Sequence, residues 1–169
     1  PNNIAVDTAR IDSVQRRYLA LGDSYTIGQS VPATDRYPVL AVKSMREAGY
    51  NMADADIIAT SGWTTRDLLE AIKNKPVIPA FDLVTLLIGV NNQYQGGTIP
   101  EYRNEFKKLL EQSIKYAGER ADRVIVIPIP DYSVTPFATN SDRQKIAREL
   151  DSFNFFNKQL ARQLSVKSL

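Results

Sequence analysis

Residues 18–24 read Tyr-Leu-Ala-Leu-Gly-Asp-Ser, a short apolar segment that ends on Gly22 and is followed at once by Asp23 and Ser24. The apolar run predicts a buried strand, and a serine just beyond it lies where open α/β sheets bind ligands, at the carboxyl ends of the strands. A serine hydroxyl is a weak nucleophile unless a base activates it. The 169 residues contain no histidine, so the usual base for such a serine is missing from this sequence.

Outside this segment, short apolar runs alternate with longer segments of helical periodicity, which is typical of βαβ units and a parallel sheet. The predicted strands are 18–21, 55–59, 83–88 and 124–127. The predicted helices are 38–49, 64–71, 102–117 and 146–164. Because crossovers between parallel strands are right-handed, we expect a three-layer α/β/α sandwich with a mostly parallel, flavodoxin-like sheet.

The length and the ends of the sequence bound the domain organisation. With 169 residues and 43% hydrophobic content, the chain is long enough for one core and too short for two ordinary domains. Residues 1–16 lack periodicity and predict an N-terminal arm, so the domain spans 17–169. Because the last predicted helix leaves only 166–169, we expect the domain to stop before its last strand and closing helix. The start at Pro1 without a leader suggests a processed, exported product.

Composition excludes several function classes. The 21 basic and 19 acidic side chains give a net charge of +2 and are scattered along the chain, so we expect neither a nucleic-acid partner nor a polybasic membrane surface. The absence of cysteine excludes disulfides and thiolate-bound metal. No apolar stretch approaches the roughly 20 residues of a membrane-spanning helix. We expect a small-molecule substrate and no metal or cofactor.

Three loops that follow three successive predicted strands carry the residue types that acyl transfer uses. The first holds Ser24, the second holds Gly62, and the third holds Asn91. The carboxyl ends of parallel strands meet at one sheet edge, so these loops should converge. Backbone N–H groups and an asparagine amide are suitable donors to the oxyanion that forms when a serine attacks a carbonyl. We therefore expect an oxyanion hole made of the Ser24 and Gly62 N–H groups and the Asn91 side chain.

These three motifs resemble the SGNH hydrolase superfamily, also called GDSL esterases and lipases, over residues 17–164. The resemblance implies the SGNH hydrolase fold and a serine ester hydrolase that acts through an acyl-enzyme on a small, lipid or carbohydrate ester. It assigns the nucleophile to Ser24 and the other oxyanion donors to Gly62 and Asn91. Aromatic side chains on the same loops are expected to bind the substrate, namely Trp63, Tyr94 and Tyr132, with Phe137 nearby.

The sequence departs from the family pattern at two points. The third motif of the family usually reads Gly-x-Asn-Asp, whereas position 92 is asparagine here. The final Asp-x-x-His motif of the family is absent, so the resemblance assigns neither the aspartate nor the histidine of the triad to this chain. We therefore expect weak or no hydrolysis by these 169 residues alone. Asp23 and Asp131 are interpreted as structural residues of turns.

Two other functions stay open on the sequence. The lack of histidine suits a non-catalytic binding module that keeps the fold and the pocket but has lost its base. Continuation of the gene past Leu169 into Asp-x-x-His would exclude that alternative. A flavodoxin-like phosphate binder would use the first loop as an anion cradle. That loop has no basic residue between Gly22 and Gln29, and Asp23 would repel phosphate.

Overall fold

Five parallel strands form the centre of the fold in a computed structural model that describes residues 13–73, 75–76 and 80–169. The strand order is β2-β1-β3-β4-β5, and every neighbouring pair is parallel. The strands are β1 (Tyr18–Gly22), β2 (Asp56–Ala59), β3 (Leu83–Leu87), β4 (Val124–Val126) and β5 (Lys167–Ser168).

Helices connect and cover these strands, and polar side chains fix where several of them begin. Thr64 accepts from the N–H of Asp67 while the Asp67 carboxylate accepts from the N–H of Thr64, which is a capping box. The two longest helices begin with simpler caps, in which the side-chain oxygens of Thr98 and Asp142 accept from a backbone N–H three residues further on. The helices are α1 (Ser24–Ile27), α2 (Tyr37–Glu47), α3 (Thr65–Ile72), α4 (Val90–Tyr94), α5 (Ile99–Tyr116) and α6 (Arg143–Gln163).

The alternation of side chains along β1 separates two apolar layers. Leu19 and Leu21 pack into the larger core, together with apolar residues of α3, α5 and α6. Tyr18 and Ala20 point to the other face and pack against Val42 of α2. Successive side chains of a strand point to opposite faces, so the sheet lies between α2 on one side and α3, α5 and α6 on the other. The predicted three-layer sandwich is confirmed.

The predicted strands and long helices are confirmed with small shifts at their ends, and the structure adds a fifth strand that the sequence did not predict. Residues Lys167–Ser168 form β5, which pairs with Ile125 and Val126 of β4. The short polar pair gave no signal because a two-residue strand has no periodicity to read. In the predicted arm, Arg16 pairs with Met52 in a parallel bridge. The rest of the arm up to residue 12 lies outside the described residues.

The register of the three central strands brings their following loops together. Gly22 at the end of β1 lies opposite Ala59 of β2 on one side and Leu87 of β3 on the other. The backbone at Gly22 leaves no space for a side chain. A Cβ there would meet the hydroxyl of Thr26 and the carbonyl oxygen of Leu87. The glycine therefore lets α1 fold back tightly over the ends of β1 and β3.

We predict that Gly22→Ala lowers the free energy of unfolding by about 3 kcal/mol, because the added methyl group forces backbone and Thr26 apart. Gly49→Ala is the matched control. Its φ of 91° is positive, but no atom lies within 4 Å of the added carbon, so the cost is only the roughly 1 kcal/mol of a left-handed alanine. Urea unfolding of both variants measures the difference. Equal losses in the two variants would contradict the proposed close approach.

Candidate active site

Ser24 is the first residue of α1 and lies at the mouth of a cavity. The side chain of Asp23 caps this helix, and Gly28 ends it in a left-handed conformation with φ of 72°. Ser24 is half-buried and lines a cavity of about 520 Å³ together with Gly62 and Asn91. The structure therefore brings the three residues singled out in the sequence to one cavity, as the parallel strand order requires.

Gly62 follows β2 and adopts a positive φ of 86°. No atom lies within 4 Å of the position that a Cβ would take, so the requirement for glycine is set by the backbone conformation rather than by space. Its carbonyl oxygen accepts a hydrogen bond from the Gln95 side chain at 3.3 Å. Gln95 follows α4, so this bond ties the loop after β2 to the segment after β3.

Asn91 lies in the first turn of α4 and is held by the backbone of the neighbouring loop. Its Nδ2 donates to the carbonyl oxygen of Trp63 at 2.9 Å. A carbonyl oxygen can only accept, so the nitrogen of the amide, not its oxygen, faces Trp63. An asparagine amide carries two N–H groups. No described residue accepts from the second N–H, and Asn91 lines the cavity.

The carboxyl group of Asp23 is buried beside Ser24 but does not line the cavity. It is 1% exposed, and its Oδ1 accepts from the N–H of Tyr25 at 3.0 Å. Among the described residues, no group donates to Oδ2. Burial raises the pKa of Asp23 from 3.8 to about 6, although backbone N–H groups such as that of Tyr25 oppose this rise. This carboxyl group therefore serves the backbone of the turn, which matches its structural interpretation.

An aromatic wall forms one side of the cavity. Its rings are those of Tyr94, Tyr132 and Phe137, with centroids 5.9 to 6.5 Å apart. Tyr132 is fixed because its hydroxyl donates to the Gln93 side chain at 2.7 Å, whereas Tyr94 and Phe137 are 62% and 71% exposed. Trp63, the remaining predicted substrate-binding residue, does not line the cavity. Its half-buried side chain packs against the larger core. Only its backbone carbonyl is tied to the site, because it accepts the hydrogen bond from Asn91.

Sequence reasoning missed several residues of the lining. Tyr25 directly follows Ser24, so its place could have been inferred from the serine alone. Gln29, Val90 and Thr135 carried no signal, because they lie in turns or in a helix too short to show a period. Asp131 is exposed and does not line the cavity; its Oδ1 accepts from the N–H of Ser133 at 2.8 Å.

The described residues offer no evident place for a metal ion. Within the ranges 13–73, 75–76 and 80–169, no group of three or more histidine, cysteine, aspartate or glutamate side chains is arranged to hold one. None of the helices in these ranges has both the length and the hydropathy that crossing a bilayer requires. The described lining of the Ser24 cavity contains no charged side chain.

We predict that Asp23→Asn changes how stability depends on pH. The folded-state pKa of about 6 lies above the ordinary 3.8, so the folded state binds the proton more tightly and the free energy of unfolding falls as the pH rises between these values. At about 1.4 kcal/mol per pKa unit, and with the unfolded carboxyl already partly ionised at pH 4, the wild type should lose about 2 kcal/mol between pH 4 and pH 7 through this group, and the variant should not.

Urea unfolding of wild type and variant at the two pH values measures this effect. Relative to the wild type, the free energy of unfolding of Asp23→Asn should be higher at pH 7 than it is at pH 4. Asp131→Asn controls for loss of a carboxylate from an exposed turn. A gap that stays constant from pH 4 to pH 7 would contradict the burial effect on Asp23.

Comparison with known proteins agrees with this fold. The structure is similar to TesA, with a TM-score of 0.71 and 16% identity over 90% of this chain and 77% of TesA. It is also similar to AlinE4, an SGNH-hydrolase family esterase, with a TM-score of 0.67 and 23% identity over 92% of this chain and 76% of that one.

A third similar structure is the psychrotrophic esterase EstA from Pseudoalteromonas sp., inhibited by monoethylphosphonate, with a TM-score of 0.68 and 13% identity over 91% of this chain and 76% of EstA. At these identities the likeness concerns the fold. No curated protein sequence matches the chain. Residues 20–169 match the GDSL-like lipase/acylhydrolase family. The match covers most of the chain and includes Ser24, Gly62 and Asn91, and on this evidence the protein belongs to that family.

Proposed function

We propose that this protein is a serine ester hydrolase in which Ser24 is the nucleophile and Gly62 and Asn91 help to bind the oxyanion. The observation that carries the proposal is the shared cavity of about 520 Å³, which the serine and both donors line. Membership in a family of lipases and acylhydrolases supports the reaction class.

The proposed reaction has two steps with a covalent intermediate. The Ser24 Oγ attacks the ester carbonyl, its proton passes to a base, and the bond to the alcohol oxygen breaks as that oxygen takes the proton. The acyl group is then bound to Oγ. In the second step a water molecule attacks the acyl carbon with the help of the same base, the bond to Oγ breaks, and the proton returns to the serine.

The donors suit the negative charge that develops in both steps. The Asn91 amide is held by the Trp63 carbonyl at 2.9 Å before any ligand binds, so little reorganisation is needed when the oxyanion forms. Preorganised donors of this kind contribute more to catalysis than donors that must be reoriented. The N–H of Ser24 is also available at the first turn of α1, where N–H groups have no partner within the helix.

The base is not found among the described residues that line the cavity. The only titratable side chains of that lining are Tyr25, Tyr94 and Tyr132. Burial raises the pKa of Tyr25 and of Tyr132 above the ordinary value of 10.0, so both phenols are protonated and cannot accept a proton at neutral pH. Added imidazole is therefore a suitable external base with which to test the nucleophile.

The aromatic wall supports an ester with an uncharged, apolar group as the substrate. Tyr94, Tyr132 and Phe137 present ring surfaces to the cavity, and no charged side chain lines its described part. The rings lie 5.9 to 6.5 Å apart between centroids, which is ring-to-ring contact. They therefore leave no gap for a cation between them and act as a surface against which an apolar group packs. Trp63 would act only through its carbonyl.

We predict that an alkyl fluorophosphonate modifies Ser24 and that imidazole accelerates the modification. The serine oxygen forms a bond to phosphorus, fluoride leaves, and imidazole takes the proton that the chain's own cavity lining cannot accept. Peptide mass spectrometry locates the adduct. Hydrolysis of p-nitrophenyl acetate should show an imidazole-dependent rate above that of imidazole in free solution, and Ser24→Ala should remove this excess. Ser44→Ala, on the exposed side of α2, is the control.

Modification of another residue instead of Ser24 would overturn the proposed nucleophile. Binding of an uncharged ester with no adduct and no imidazole-dependent rate would favour the non-catalytic binding module, for which the lack of histidine in the 169 residues is the motivating observation.

We predict that Asn91→Ala lowers kcat of the imidazole-dependent hydrolysis by about 10²-fold, the loss typical of removing one oxyanion donor. KM should change little, because the donor acts mainly on the charge that develops in the transition state. Asn104→Ala, an exposed change on α5, is the matched control. A variant with unchanged kcat would exclude the Asn91 amide as a donor.

A further inference from the structure

A chain of three hydrogen-bonding side chains, two of them buried, begins next to the proposed oxyanion donor Asn91. The Oδ1 of Asn92 accepts from the N–H of Thr65 at 3.0 Å, and its Nδ2 donates to the Thr65 hydroxyl at 2.7 Å. The Thr65 hydroxyl lies 2.5 Å from Oε2 of Glu105 on α5. Asn92 is 7% exposed and Thr65 is fully buried. These three side chains are called the relay below.

The direction of every hydrogen bond in the relay is fixed. A backbone N–H can only donate, so the amide oxygen of Asn92 must face Thr65 N and the amide nitrogen must face the hydroxyl. That hydroxyl accepts from Asn92 and has one hydrogen of its own, which it gives to the Glu105 carboxylate. The donors thus run from Asn92 through Thr65 to Glu105. Arg66 supports the end of the relay with an ion pair to Glu105 at 3.2 Å.

The relay requires an amide at 92 as long as a carboxylate occupies 105. An aspartate at 92 has no hydrogen to donate, so it and Glu105 would compete for the single hydrogen of the Thr65 hydroxyl. One buried oxygen would lose its donor, which is costly for a charged group. The asparagine at 92, where the family pattern usually has aspartate, is therefore matched to Glu105.

The relay joins the same two segments that carry the oxyanion donors. Asn92 follows Asn91 in α4, and Thr65 follows the loop of Gly62 and Trp63. A second cavity, of about 390 Å³, lies against Asn92 and Glu105, so on that side close packing does not hold the two segments together. On that side the hydrogen bonds between Asn92 and Thr65 link the two segments directly.

We infer that Asn92 is a positioning residue that acts through Thr65 and Glu105 to fix the Asn91 amide relative to the loop of Gly62. This inference rests on the proposed function for its catalytic consequence, but the geometry it describes does not. An error of about 1 Å in such a position can lower a rate by about 10²-fold.

The experiment compares Asn92→Asp, Glu105→Gln and the double variant. Asn92→Asp should lower kcat of the imidazole-dependent hydrolysis by about 10- to 100-fold with KM within about twofold, and should shift the side-chain amide signals of Asn91 in ¹⁵N NMR spectra. Asn140→Asp, in an exposed loop, controls for the added charge.

The double variant should recover both readouts. In it the amide introduced at position 105 donates to the Thr65 hydroxyl, and that hydroxyl donates to the carboxylate introduced at position 92. The donors then run from position 105 through Thr65 to position 92, and every hydrogen has an acceptor.

If Asn92→Asp does not fold, recovery of the fold in the double variant supports the relay, and a double variant as unstable as the single one overturns it. An Asn92→Asp variant with the kcat and the Asn91 signals of Asn140→Asp also overturns it. Failure of the proposed function would appear differently, as a wild type without Ser24-dependent hydrolysis. The NMR signals and the folding of the variants would still decide the relay.

Discussion

Hydrogen bonds from α4 to the loop after β2 are the constraint on which the site depends. Because β1 lies between β2 and β3 in the sheet, the loops that carry Gly62 and Asn91 flank Ser24 from two sides. The sheet fixes where these loops start, but not how far apart their tips lie. That distance is set by side-chain bonds from Asn91, Asn92 and Gln95 to residues 62–65. These bonds act together with the packing of Val90 and Trp63 against the larger core.

Much of the fold and part of the site could be predicted from the sequence. Which features could be predicted depends on whether they produce a periodic pattern. The long strands and helices follow from periodicity, and the convergence of Ser24, Gly62 and Asn91 follows from parallel order. The short elements α1, α4 and β5 have too few residues for any period to appear. The direction of side chains in loops could not be predicted either. For this reason the Trp63 side chain was expected in the cavity, whereas it packs against the core and only its carbonyl contacts Asn91.

Burial separates the carboxyl group nearest to Ser24 from the cavity. Asp23 is adjacent to Ser24 in sequence, yet its Oδ1 accepts from the backbone of α1 and the group is 1% exposed. The described lining of the cavity is neutral. A neutral, partly aromatic lining disfavours charged ligands because they would lose hydration without gaining an ionic partner. The carboxyl group contributes to the shape of the turn, so the proton transfer proposed for Ser24 depends on a different group.

Reliance on amides also makes the site vulnerable to chemical ageing. Asparagine slowly loses ammonia in water and becomes aspartate, and such residues are among those that heat damages in proteins. At an exposed position this change adds one charge and little else. At Asn92 it would place a carboxylate opposite Thr65 without any external agent. Conversion of Asn92 during prolonged storage or heating would therefore disturb the proposed oxyanion hole through the loss of a single side-chain amide.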